Sequence, residues 1–246
     1  MSQSQPIARR ISAALVLFCR RPAPGTGKQR LARELGGARA LAVATALLDC
    51  ALEDVADWPG RLVISPACHE DLEWAEGLIA RPKWVIPQHA GNLGERLSGV
   101  DIETRRRGCN RVLFIGSDAP SLRLGDLLAA DDALAEADVA LIPAVDGGVA
   151  LMGSRAPWPD LACLPWSEPA LADALERECR DKGRSVVRLP SSYDIDEVSA
   201  LAGAVAALES DVRPARRRLR SLLVEACGVV QPSGVQHGAP RPAGAR

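Results

Sequence analysis

Apolar positions in this chain fall into short continuous runs separated by longer stretches of helical period. The runs at 12–19 (SAALVLFC), 61–67 (RLVISPA), 83–88 (KWVIPQ), 110–120 (NRVLFIGSDAP), 138–144 (DVALIPA), 148–155 (GVALMGSR) and 184–190 (RSVVRLP) predict strands. Between them, 38–55 carries Leu41, Ala44, Leu47, Leu48, Ala51 and Leu52 at helical spacing. Further helices are predicted over 69–80, 93–108, 124–137, 168–183 and 197–210, that over 168–183 being stopped by Gly183. Strand and helix alternate throughout. That order predicts an α/β fold, a mostly parallel sheet flanked by helices on both faces.

Composition narrows the picture. The 246 residues are 47% hydrophobic and 25% charged, with a formal net charge of −1. No global basic field exists to attract nucleic acid, and 3% aromatics leave little for base stacking. Seven dispersed cysteines form no C-x-x-C pair, so free thiols in a reducing cytoplasm are expected rather than zinc or a disulfide framework. Arg9 and Arg10 before an apolar run mimic a signal peptide, but the run is short and no small-residue cleavage site follows. No run is long enough to span a bilayer. Residues 1–11 are expected to be loose, 12–212 to form the body, and 213–246 to be a largely disordered tail. Within that tail RPARRRLR reads as a solvated basic helix face, and the last segment is rich in Gly, Pro and Ala.

In an open α/β sheet ligands sit outside the carboxyl ends of the strands. After the first strand comes RRPAPGTGKQRLA, with Gly25, Gly27, Lys28 and Arg30. It lacks the Ser/Thr of a Walker A loop, because Gln29 stands there, and it is not G-x-G-x-x-G. It reads either as a solvated turn or as a seat for phosphates. The 110–120 run ends in Gly116-Ser117-Asp118-Ala119-Pro120, where Asp118 could hold a hard cation or cap the next helix. Asp146-Gly147-Gly148 follows the fifth run, as a site or as a plain hairpin turn. Tyr193-Asp194-Ile195-Asp196 follows the last. His69 and His89 make no metal site, and no G-x-S-x-G elbow is present.

Taken in order, RRPAPGTGKQRLARELG, QHAGNLGERL, IGSDAPSL, AVDGGVALMG, PWSEP and YDIDE resemble the DUF2064 group of bacterial proteins. That group is glycosyltransferase-like, tied by family naming to arsenosugar biosynthesis, and lies in the nucleotide-diphospho-sugar transferase (GT-A) superfamily. The likeness spans roughly residues 12–208. It implies a single GT-A-like, Rossmann-like domain. Gly25, Gly27, Lys28, Arg30 and Arg96 would then lie at the nucleotide phosphates. Asp118 and Asp196 would hold Mg²⁺ or Mn²⁺, and Gly147, Gly148, Trp166 and Asp194 would shape the acceptor side. Four positions depart from the family pattern: Gln29 for Thr, Asn92 for Asp, and Val149-Ala150 for an aromatic pair.

The resulting expectation is a metal-dependent transferase with a nucleotide-activated donor and a small-molecule acceptor. Glycosyl transfer is favoured by the family naming, with Asp118 and Asp146 as catalytic acids and Asp146 as the base that deprotonates the acceptor. The alternatives are nucleotidyl transfer with release of pyrophosphate, favoured by the cationic loop, and a non-catalytic nucleotide-binding protein.

Overall fold

The computed structural model describes residues 13–192, 195 and 201–230. Seven strands form one sheet: β1 (Ala13–Cys19), β2 (Arg61–Pro66), β3 (Trp84–Val85), β4 (Arg111–Ile115), β5 (Val139–Pro143), β6 (Val149–Ser154) and β7 (Val186–Arg188). Their spatial order is β3-β2-β1-β4-β6-β5-β7. The interior strands are long apolar runs because both of their faces are covered. In β1, Leu15 and Leu17 point into one apolar layer and Val16 into the other.

Among the described residues eight α-helices surround the sheet: α1 (Gln29–Leu35), α2 (Gly37–Ala56), α3 (Leu72–Gly77), α4 (Leu93–Arg106), α5 (Leu124–Glu136), α6 (Leu171–Asp181), α7 (Leu201–Ala207) and α8 (Pro214–Val230). The layer holding α2, α3 and α5 buries Leu48, Val55, Ala75 and Leu127. The opposite layer, with α4 and α6, buries Leu97, Val100, Leu175 and Cys179. A third apolar cluster packs α1, α7 and α8 onto the far side of α2 through Leu31, Val43, Leu47, Leu208, Leu219 and Leu223. Each such side chain contributes roughly 1.5–3 kcal/mol when fully buried.

β6 departs from the expected parallel order. It runs against both β4 and β5, while β1, β4, β5 and β7 share one direction. The reason is the turn Ala144–Gly148, which closes a hairpin with Gly148 O accepting from Ala144 N at 2.9 Å. The four carboxyl ends picked out in the sequence therefore still open on one edge.

The expected break after residue 212 is corrected by α8. Pro214–Val230 is a helix with Leu219, Leu223 and Ala226 buried. Nor is its basic run solvated throughout: Arg217 and Arg218 are exposed, but Arg216 is 0% exposed. Arg216 binds Asp54 and Glu53 of α2, the latter at 2.9 Å, and Arg213 meets Asp54 at 2.6 Å. A buried guanidinium is tolerated only when paired and hydrogen-bonded. The expected loose N-terminus (1–11) and the segment after 230 lie outside the described residues. No described helix is long and apolar enough to cross a membrane. All seven cysteines are free.

Candidate active site

A cavity of about 1060 Å³ opens at the carboxyl edge of β1, β4 and β5. Phe18 and Phe114, packed edge to face at 5.7 Å, form part of its lining. One group of lining side chains is cationic: Arg20, Lys28, Arg30, Arg33 and Arg96. Another is acidic: Asp118, Asp146 and Glu168. Trp166, Gly148, Val149, Ala150 and Met152 also contribute.

The cationic side begins in the loop after β1. Gly25 and Gly27 have φ of 74° and 70°, a region open to glycine without steric cost. Lys28 follows at φ 45°, which costs a side-chain-bearing residue about 1–2 kcal/mol. Thr26 N–H donates to Ala23 O at 3.1 Å, and the Gln29 amide donates to Gly25 O at 2.7 Å. Gln29, the residue that breaks the Walker pattern, thus closes the loop onto itself. The chain then enters α1, which the sequence reading left as loop. α1 carries Arg30 and Arg33 at a one-turn spacing and anchors itself through buried Leu31 and Leu35.

Lys28 is pinned rather than waving. Its ammonium donates to Ile195 O at 2.7 Å and lies 3.4 Å from the Asp118 carboxylate. Its side chain is only 13% exposed, against 45% for Asp118. Ile195 N–H also donates to Asp118 O at 3.1 Å. Ile195 therefore docks directly on the Asp118 loop.

Arg96 reaches the cavity from α4. Asn92 starts that helix with a reciprocal cap: its side-chain Oδ1 accepts from Glu95 N–H at 3.0 Å, and its backbone N–H donates to Glu95 Oε2 at 2.7 Å. The Asn92 amide also donates to Ala162 O at 2.9 Å, a bond that an Asp could not make. Arg96 donates to the Gln88 side-chain oxygen. Gln88 is oriented for this because its amide donates to Ser65 O at 2.8 Å and to Cys19 O at 3.4 Å. Burial, and then the charge of Arg20, lower the Arg96 pKa. Two guanidinium groups that disfavour each other's charge form a spot that an anion would relieve.

Asp146 sits at the tip of the β5–β6 hairpin, where its carboxylate accepts from Gly148 N–H at 2.8 Å. Gly147 has φ 91°, and a Cβ there would lie 1.8 Å from Pro169 O. The tip is thereby pressed against the loop that carries Trp166 and Glu168. Trp166 is fixed by its indole N–H donating to Leu161 O at 2.8 Å.

The cavity thus gathers Lys28, Arg30, Arg96, Asp118, Asp146, Gly148 and Trp166 among the sequence candidates. Gly25, Gly27 and Gly147 shape backbone beside it rather than line it. Asp194 and Asp196 lie outside the described residues. Sequence reasoning did not place Gln88 and Glu168 in the site, whereas Arg20 and Arg33 belong to the cationic stretch it offered as a phosphate seat and were findable. Gln88 was not, since only the sheet register, with Gln88 N–H on Pro66 O at 2.9 Å, brings it inward.

The comparisons with known proteins agree with this architecture. The family model described as "Uncharacterized protein conserved in bacteria (DUF2064)" matches residues 47–168. The matched segment is similar to that family. It runs from α2 to the Trp166 loop and includes Arg96, Asp118 and Asp146. No curated protein matches the chain. A crystal structure from Desulfovibrio desulfuricans G20, assigned provisionally by its name to the nucleotide-diphospho-sugar transferases, superposes with a TM-score of 0.77 at 23% identity, covering 89% of this chain and 97% of that one. A protein from Mycobacterium sp. strain JC1 gives 0.54 at 16% identity over 88% and 99%. A cytidylyltransferase from Leptospira borgpetersenii gives 0.50 at 10% over 93% and 100%. At these identities the likeness is one of fold.

Among the described residues no cluster of three His, Cys, Asp or Glu side chains could hold a metal. A lone half-exposed carboxylate still fits one kind of cation. Mg²⁺ and ions like it are bound through one or two carboxylates together with substrate phosphates, not by a closed protein cage.

Proposed function

We propose that the chain is a transferase that uses a nucleotide-activated donor and a divalent cation, and that it moves a glycosyl group to a small-molecule acceptor. The observation that carries this reading is the charge layout of one cavity, with five cations and three carboxylates on its lining. The DUF2064 match and the nucleotide-sugar-transferase-like fold support it. Lys28, Arg30, Arg33 and Arg96 would bind the donor phosphates by charge-assisted hydrogen bonds. Asp118, with Asp194 or Asp196 on either side of Ile195, would hold Mg²⁺ or Mn²⁺. When bound, the cation would neutralise charge on the departing diphosphate. Asp146, whose carboxylate accepts from Gly148 N–H, would take the proton of an acceptor hydroxyl. Trp166 and Glu168 would contact the acceptor.

A second reading rests on the cation count. Arg20, Lys28, Arg30, Arg33 and Arg96 together suit a triphosphate, which points to nucleotidyl transfer with release of pyrophosphate. Thermal melting with a panel of nucleotide-sugars and nucleoside triphosphates, each with and without Mn²⁺, separates the two. Larger Mn²⁺-dependent shifts with nucleotide-sugars support glycosyl transfer, and larger ones with triphosphates support the second reading. Shifts that ignore Mn²⁺, and that Asp118→Asn leaves unchanged, would remove the metal from both.

A further inference from the structure

The C-terminal helix reaches the back of the candidate site through one side chain. Arg216 runs through the protein interior, fully buried, and spends its donors on two elements at once. Toward α2 it binds Asp54, Glu53 at 2.9 Å, and the Cys50 carbonyl. Toward the loop after β4 it donates to Pro120 O at 3.2 Å and to Leu122 O at 3.2 Å. Arg213 adds a bond to Leu122 O at 3.3 Å. These carbonyls bracket the turn that begins at Asp118, in which Leu122 N–H donates to Ala119 O at 3.2 Å. The same turn is held from the other side by Ser121 on Ser192 and by Ile195 N–H on Asp118 O.

We propose that Arg216 is a positioning residue for Asp118: α8 fixes the height and tilt of the turn that presents this carboxylate to a cation. Two carbonyls that diverge from one buried guanidinium leave the turn little freedom, because the planar fork has a fixed geometry. A lysine at 216 would keep the charge beside Asp54 and Glu53, but a single ammonium could not span Pro120, Leu122 and Cys50 together. The inference rests on the reading of Asp118 as a cation ligand. It adds that a helix outside the cavity sets how well that ligand works.

The test uses full-length Arg216→Lys, with Arg218→Ala as the comparison. Arg218 lies on the same helix and pairs with Asp49 of the same α2 at 2.9 Å, but it does not touch the turn. Pyrophosphate affinity is measured with and without Mn²⁺, and hydrogen exchange of residues 117–123 is followed in the metal-free protein. In Arg216→Lys the metal-free affinity is expected to stay within about twofold of wild type, while the gain from Mn²⁺ falls about tenfold, the scale of losing one or two hydrogen bonds. Exchange in 117–123 should quicken, with α8 still protected. Arg218→Ala should change neither reading. Equal losses in the two variants, or a folded Arg216→Lys with its Mn²⁺ gain and slow exchange intact, would overturn the proposal. If Arg216→Lys does not fold, Arg213→Ala takes its place, with an expected loss of about twofold in the Mn²⁺ gain. An unchanged gain there overturns it as well. Asp118→Asn in an otherwise wild-type chain keeps the two ideas apart: if it retains the Mn²⁺ gain, the metal reading fails, and the exchange result alone decides the role of Arg216.

Discussion

Two arginine-rich stretches of this chain look alike and behave in opposite ways. RRPAPGTGKQRLAR, at the first strand end, puts Lys28, Arg30 and Arg33 on the lining of an open cavity. RPARRRLR, near the other end, buries Arg216 completely and pairs Arg213, Arg216 and Arg218 with acids. The difference lies in the partner element. α2 presents Asp49, Glu53 and Asp54 within a turn and a half, so α8 meets a ladder of carboxylates. In the first loop Lys28 meets Asp118 and the Ile195 carbonyl and still lines the cavity. The element a basic run packs against decides whether it lines a cavity or is drawn into the interior.

That comparison can be tested from its strong side first. Ending the chain after residue 212 would remove Leu219, Leu223 and Ala226 as well as Arg213 and the buried Arg216, and would leave Asp54 without its partners. Loss of a cooperative thermal transition is expected, whereas ending it after Val230 should leave Tm and activity unchanged. Survival of the shorter chain would show that α8 is an accessory.

Arg216→Met should cost roughly 3–5 kcal/mol in chemical denaturation, because it strands buried carboxylate charge. The double change Lys28→Ala, Arg30→Ala should do the reverse. Phosphate binding should weaken at least about tenfold, at roughly 1.5–3 kcal/mol for each charge-assisted bond, while the affinity for the corresponding nucleoside barely moves. Similar responses from nucleotide and nucleoside would return the loop to being a turn.

A smaller effect concerns pH. Hydrogen bonds from Arg213, above all, hold the Asp211 carboxyl down to about 2, below its ordinary 3.8. A folded value below the unfolded one stabilises the protein fully above the unfolded value, and that contribution is lost as pH falls through the folded one. Asp211→Asn should therefore melt below wild type at neutral pH, with the gap closing between about pH 4 and pH 2. Asp54 in the same cluster has the opposite sign, since burial pushes it up to about 6 despite Arg216 and Arg213. A gap between Asp211→Asn and wild type that stays constant with pH would show that Asp211 does not titrate as assigned.

The strands were legible because burial on both faces writes them as unbroken apolar runs. The carboxyl-edge position of Lys28, Asp118 and Asp146 followed from that reading. The direction of β6 was not legible as a sheet-wide fact: Asp146-Gly147-Gly148 signals a hairpin and a site equally well, and here it is a hairpin tip on the cavity. α1 hid behind two glycines and a left-handed Lys28, although Leu31 and Leu35 carry its period. Arg216 was illegible for another reason. Nothing in RPARRRLR marks which arginine points inward; that depends on α2, more than 150 residues away, as the 162-residue separation of Arg216 from Asp54 shows.

The contact between Gly147 and the Pro169 carbonyl has a consequence for how such a cavity can be remodelled. The hairpin tip and the Trp166–Pro169 loop behave as one casting: no side chain can enter between them without moving both. Variation in what the pocket accepts is left to the strand behind the tip, where Val149, Ala150 and Met152 line the cavity. Small residues at 149 and 150 make this a roomy version of the mould, and enlarging them is the direct way to narrow its range of guests.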